Sequence, residues 1–190
     1  MKNTILSLFL VFSILACKNG VKKTETKSTD SSDTEQEVVE SVRALTIQLN
    51  PKSKSNVTGT AEFVETNGFV QMIATIQGLS LGSHAIHIHE KGDCSSADGK
   101  SAGGHWNPTA QPHGKWGAET GYHKGDIGNF VVENETSVVE FSTDQWCIGC
   151  GDGTKDILGK GIIIHQGVDD FTSQPSGAAG SRVSCGGIIE

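Results

Sequence analysis

The chain is short of aromatic residues, which make up 6% of its 190 positions, and it has no surplus of positive charge: fifteen Lys and Arg stand against twenty-two Asp and Glu, a formal net charge of −7. Without a basic surface, nucleic acid is excluded as a partner. No apolar run reaches the roughly 18 residues that a membrane-spanning helix needs. No helical apolar period of convincing length is present, no repeat of solenoid or propeller period is visible, and the H-E-x-x-H helix of zinc hydrolases is missing. These absences set aside a helical bundle, a repeat array and nucleic-acid binding.

Glycine, by contrast, is plentiful, with twenty-four residues spread between β-branched runs. That pattern suggests many short strands joined by turns, an all-β chain. Alternating or apolar segments at 42–49, 57–65, 69–77, 84–90, 127–133, 137–142, 161–165 and 183–189 give eight expected strands. Three long connections, 91–126, 143–160 and 166–182, interrupt them, and irregular loops of such length inside a compact domain usually carry function. A single antiparallel barrel or sandwich fits this order.

The amino terminus reads differently. Lys2 precedes an apolar run over 5–16, a basic head and short hydrophobic stretch that read as an export signal. The run stops at Ile14-Leu15-Ala16-Cys17, which resembles a bacterial lipobox, in which the cysteine is lipidated and becomes the first mature residue. An ordinary secretory signal cleaved near Ala16 is the alternative. Removing 1–16 takes away one lysine and no acid, so the mature chain is more acidic still. Residues 18–40 are mostly Lys, Thr, Ser, Asp and Glu, too polar to offset the entropy of ordering by burial. The expected division is a signal peptide at 1–16, a lipidated Cys17 with a disordered linker to 40, and a folded domain over 41–190. The expected location is the bacterial cell envelope, periplasm or outer membrane, with the membrane as a partner through the lipid anchor.

Five cysteines become four once Cys17 is lipidated: Cys94, Cys147, Cys150 and Cys185. An even set in an oxidising compartment suggests two disulfides. Cys147 and Cys150 form a C-x-x-C, for which a local disulfide, a redox-active pair, a thiolate site for copper uptake and free thiols are competing readings. Asn56 and Asn134 stand in N-x-T sequences and are read as turn residues.

The chemistry lies in the histidines. His87 and His89 flank Ile88 in a strand-like segment, so both imidazoles leave the same face with Cα atoms about 7 Å apart, within reach of one ion. His84 faces the other way. The loop that follows carries His105, His113, His123 and Asp126, and three imidazoles with one carboxylate suit a four-coordinate zinc ion. Any single histidine is more often an ordinary core or surface residue. The full set, at this spacing, points to metal.

Those residues carry a resemblance. His84-Ala85-Ile86-His87-Ile88-His89-Glu90, Gly104-His105-Trp106-Asn107-Pro108, His123-Lys124-Gly125-Asp126-Ile127-Gly128-Asn129, His165 with Asp169-Asp170, and Gly177-Ala178-Ala179-Gly180-Ser181-Arg182-Val183-Ser184-Cys185-Gly186 resemble the copper/zinc superoxide dismutase family. The resemblance covers about 41–190. It implies an eight-stranded antiparallel Greek-key β-barrel, sandwich-like, with long metal-binding and active-site loops. It further implies copper on His87, His89, His105 and His165, zinc on His105, His113, His123 and Asp126, and His105 as the bridge. Asp169 would join a copper histidine to a zinc histidine. Cys94 and Cys185 would form the disulfide that ties the metal-bearing loop to the last strand. Arg182, with His105, would serve the reaction by holding the anionic substrate beside the copper.

The activity implied is conversion of two superoxide anions and two protons into oxygen and hydrogen peroxide, with copper cycling between two oxidation states, chemistry that zinc alone does not support. Two divalent cations less one imidazolate and one aspartate leave the implied site positive, suited to an anion. The 166–182 loop is poor in lysine, and Lys124 and Lys160 are the expected substitutes for steering. Monomer and homodimer both stay open, as does loading by a copper chaperone. The rival reading is a non-enzymatic envelope protein that binds or delivers copper on a dismutase-like fold. Retention of His87, His89, His105, His165 and Arg182 favours the enzyme, and a zinc hydrolase leaves the remaining histidines unexplained.

Overall fold

The computed structural model describes residues 42–190. The expected export signal, Cys17 and the linker lie outside the described residues. Among the described residues there are eight strands: β1 (Arg43–Pro51), β2 (Thr58–Thr66), β3 (Phe69–Gln77), β4 (Gly82–His89), β5 (Gly128–Val132), β6 (Thr136–Thr143), β7 (Gly161–His165) and β8 (Arg182–Gly187). Every pairing is antiparallel, in the order β5-β4-β7-β8-β1-β2-β3-β6. The two end strands, β5 and β6, follow one another in sequence and meet across the seam, so the barrel is nearly closed. The Greek-key antiparallel barrel expected from the sequence is the fold observed.

Binary patterning accounts for the strands. Along β3, Val70, Met72, Ala74 and Ile76 are buried while Phe69, Gln71 and Gln77 face out, the two-residue period of a sheet with one wet face. Ala61 and Phe63 of β2 do the same and meet Ala74 and Met72 across the ladder. β1 joins the two halves of the barrel: its first seven residues pair with β2, and Asn50 and Pro51 turn to pair with β8.

β4 and β7 depart from that pattern because both of their faces are covered. Ile86, Ile88, Ile162 and Ile164 enter the barrel core. The opposite face of β4 carries His87 and His89, and that of β7 carries Ile163, which packs with Ala102, Cys185 and Cys94. The connection 90–127, which includes a single 3-10 turn at Lys100–Ala102, forms the lid over this outer face. β8 ends at Gly187, two residues earlier than expected, because Ile188 exchanges backbone bonds with Gly159 and Lys160 instead of extending the ladder.

Candidate metal centre

Strand geometry sets the first part of the site. His87 stands opposite Ile163 and His89 opposite Gly161, and His165 ends β7 on the same outer face. The long loop is then sewn to this edge by backbone bonds. The amide of Ile88 donates to Gly125, the amide of Trp106 to Ile88, and the amide of Gly125 to Trp106, at 2.9–3.0 Å. A side chain at 125 has no room, since a Cβ there would lie 2.1 Å from the Ile88 carbonyl oxygen. The stitch carries His105, His123 and Asp126 onto the outer face of β4.

Two groups of ligand atoms result, each with all atoms within 4.8 Å of one another: His87, His89, His105 and His165 in the first, and His105, His113, His123 and Asp126 in the second. Every one of these side chains is buried. Burying an imidazole nitrogen without a partner is costly, yet His87 Nδ1, His89 Nε2, His105 Nε2, and both ring nitrogens of His165 have no hydrogen-bond partner. Their other contacts fix the free nitrogen: His87 Nε2 lies 2.8 Å from Asp169 and His89 Nδ1 3.0 Å from the Gly103 carbonyl. A metal ion is the group that satisfies such a set of inward lone pairs, and imidazoles suit copper or zinc.

In the second group, the Nδ1 atoms of His105, His113 and His123 lie 2.8, 3.0 and 3.2 Å from the Asp126 carboxylate. Those of His113 and His123 form no hydrogen bond there. Three imidazoles and one carboxylate converging on a dry point fit a closed zinc site. His105 faces both groups, with Nδ1 toward Asp126 and Nε2 toward the first set.

Electrostatics follow the same division. Burial, reinforced by neighbouring imidazoles, holds His89 and His165 well below the usual histidine value. Burial also takes His105 down to about 4 despite its bond to Asp126. His113 is the exception: burial opposes its charge, but the Asp126 and Asp169 carboxylates outweigh that and raise it to about 9. Burial works against ionised Asp126, yet the three surrounding imidazoles and the His123 amide hold it far below the ordinary carboxylate range. Each group thus favours the charged form of the other, His113 as imidazolium and Asp126 as carboxylate.

Asp169 joins the groups, its two oxygens lying 2.8 Å from His87 Nε2 and 2.9 Å from His113 Nε2. It is held in turn by reciprocal 2.8 Å bonds with the Asn129 amide. Gly177, at φ +65°, passes so close that a Cβ there would sit 1.8 Å from Asp169 Oδ1. Gln174 clamps His113 through both its backbone amide and its carbonyl. Asn129 and Gln174 carry no sequence signal of this work, because each acts through a partner distant in the chain.

A cleft of about 420 Å³ opens onto His89, His105 and His165, with Lys100 and Arg182 on its wall. Arg182 is half-buried, and one of its guanidinium nitrogens donates to the Gly99 carbonyl at 2.9 Å. The lysine at the cleft is therefore Lys100, not the expected pair. Lys124 is engaged by Gln145, and Lys160 lies 5.7 Å from the centre of the Trp106 ring. The position of Lys100, the first residue of the 3-10 turn beside Arg182, is a tertiary fact with no local signature. His84, on the inner face of β4 as expected, ties the site to its support: Nδ1 faces the His165 carbonyl at 3.1 Å and Nε2 the Ser80 carbonyl at 2.9 Å.

Two disulfides are present among the described residues. Cys94–Cys185 joins the histidine-bearing loop to β8 across a sequence separation of 91, and Cys147–Cys150 closes a separation of 3.

The sequence model of the family described as "Copper/zinc superoxide dismutase (SODC)" matches residues 57–188. "Superoxide dismutase [Cu-Zn] 2" of Aquifex aeolicus is 36% identical over 141 residues, 72% of this chain and 81% of its own. "Extracellular superoxide dismutase [Cu-Zn]" of Drosophila melanogaster is 36% identical over 146 residues, 73% and 77% of the two chains. Among solved structures, a SOD-like protein from Bacillus subtilis superposes with a TM-score of 0.67 at 31% identity, covering 76% of this chain and 97% of that one.

Proposed function

Because the chain belongs to the copper/zinc superoxide dismutase family, we propose that it catalyses the disproportionation of superoxide, with copper held by His87, His89, His105 and His165 and zinc by His105, His113, His123 and Asp126. The observation that carries this reading is the pair of buried ligand groups sharing His105, the first of them reached by a cleft that Arg182 lines. Copper, when bound, supplies one-electron chemistry in both directions.

The chain's own residues account for the rest. Arg182 presents guanidinium N–H groups to a small anion arriving in the cleft and holds it by charge-assisted bonds. Lys100 adds positive charge at the same opening. His105 Nε2 is the atom placed to hold a proton and pass it to the departing peroxide, while Nδ1 stays engaged on the Asp126 side. Asp169 fixes the rings of His87 and His113, so that their free nitrogens point inward.

The two disulfides and the relative named as extracellular support an exported protein. The sequence at 14–17 supports lipidation of Cys17, with 1–16 removed, 17–40 as a tether and 41–190 as the enzyme domain. Mass analysis of the mature amino terminus tests this: a diacylglyceryl mass on Cys17 supports the anchor, and an unmodified terminus rejects it.

The activity is tested on the full chain loaded with copper and zinc, with turnover and metal content measured on one sample. Rapid, cyanide-sensitive consumption of superoxide with one copper and one zinc per chain supports the enzyme. Both metals bound with no turnover moves the assignment to an envelope protein that binds or delivers copper.

A further inference from the structure

The C-x-x-C sits in the connection between β6 and β7, outside both ligand groups, and the proposed reaction makes no use of it. Its surroundings are specific. Trp146, fully buried, donates its indole N–H to the Lys124 carbonyl at 2.9 Å. Gln145 bonds Tyr122 and Lys124. The rings of Trp116, Tyr122, Phe141 and Trp146 pack with neighbouring centroids 4.9–6.0 Å apart. Gln145 and Trp146, which directly precede Cys147, therefore grip the segment 122–126, which carries His123 and Asp126.

The two bridges differ in access. Cys150 is exposed, whereas Cys185 is fully buried and Cys94 half-buried. An attacking thiolate therefore reaches the shorter bridge at Cys150, while both sulfurs of the longer bridge are covered at least in part. Cys147, its partner, is buried and adjacent to Trp146.

We propose that Cys147–Cys150 is a thiol-exchange site for a dithiol reductant, small or protein-borne, and that its opening loosens the grip of Trp146 and Gln145 on the zinc-side loop. The inference rests on the assignment of zinc to His105, His113, His123 and Asp126. In the step, a reductant thiolate attacks Cys150 Sγ, the Cys147–Cys150 bond breaks, and the Cys147 sulfur leaves and takes up a proton. The second thiol of the reductant then displaces Cys150, which also gains a proton. Two electrons and two protons have passed to the protein, and the dithiol has become a disulfide.

The test uses the full chain loaded with both metals. Equilibration in graded mixtures of reduced and oxidised dithiothreitol, followed by alkylation and peptide mass analysis, reads which cysteines open. Cys147 and Cys150 should be labelled at a less reducing potential than Cys94 and Cys185; simultaneous labelling of all four overturns the proposal. Zinc release to a chromogenic chelator is measured separately, without thiols, for wild type and Cys150→Ser. The variant should lose zinc faster, on the order of ten-fold, as when a residue supporting a ligand is removed, with the copper spectrum unchanged. Equal release rates overturn the coupling. If the oxidised wild type holds no zinc, it is the metal assignment that fails, and the order of alkylation still decides the exchange site.

Discussion

At the scale of single residues, the proposed function divides the site into groups that would hold metal and groups that would handle substrate, and the two should respond differently to substitution. Arg182 touches the cleft but belongs to neither ligand group. A hydrogen bond to a charged partner contributes roughly 1.5–3 kcal/mol, so Arg182→Gln should lower kcat/KM for superoxide about ten- to a hundred-fold while copper and zinc contents stay at wild-type levels. Arg182→Lys keeps the charge and loses the planar fork, and should fall between. Steady-state kinetics paired with metal analysis checks this, and unchanged turnover removes Arg182 from its role.

The same residues set the pH behaviour of the metal-free protein. His105, at about 4, and His89 and His165, held well below 6.5, are neutral in the folded state and charge readily when unfolded. Their contribution is present above about pH 6.5 and is lost as pH falls below it, for His105 through about 4. His113, raised to about 9, has the opposite sign: its contribution is complete below about pH 6.5 and is lost as pH rises through 9. Thermal unfolding of the metal-free chain should therefore show maximal stability near pH 6.5, with a steep acid side governed by three imidazoles and a shallower alkaline side governed by one. A midpoint that is flat from pH 5 to 9 would contradict these environments. Zinc binding should abolish the alkaline decline, because the cation takes over the charge that His113 supplies.

At the scale of elements, the decisive contact is the three-way backbone stitch among β4, Trp106 and Gly125. Gly125→Ala places a methyl group against the Ile88 carbonyl and forces the 122–126 segment off the strand. Overpacking of this kind costs about 1–3 kcal/mol, and because the displaced segment carries His123 and Asp126, zinc retention should fall along with the melting midpoint. Ala substitution at Gly153, where a Cβ meets nothing, is the matched control. Equal effects at the two positions would show that the stitch does not position the site.

Strands were the readable part of this chain, since alternation such as that of Val70, Met72, Ala74 and Ile76 is a local signal of period two. β7 was readable for another reason: a short run of isoleucines between glycine and histidine suits a strand covered on both faces. The ligand groups were visible as histidine spacing, with His113 the weakest because nothing around it in sequence marks its place. What fixes it is Gln174, sixty-one residues away, and no local pattern encodes such a clamp. Lys100 escaped for the same cause: its place on the cleft depends on how the 3-10 turn docks beside Arg182.

At the scale of the molecule, the proposed reaction requires an acidic chain to attract an anion. The formal charge of −7 repels superoxide at long range, so productive encounter depends on the field near the opening. There Arg182 and Lys100 line the cleft, and Lys100 is partly offset by Asp98 at 3.1 Å. Fields from exposed charges are screened over about 8 Å at physiological salt, so only charges close to the opening remain effective there. Lys100→Ala should accordingly lower kcat/KM by about two-fold at low ionic strength, and the loss should shrink as salt is added. Asp98→Asn, which frees Lys100 from its partner, should act in the opposite direction. Stopped-flow measurement of superoxide decay across a salt series distinguishes the two variants. If both leave the salt dependence unchanged, attraction arises from the bound cations and Arg182 alone, and Lys100 is a surface residue that happens to border the cleft.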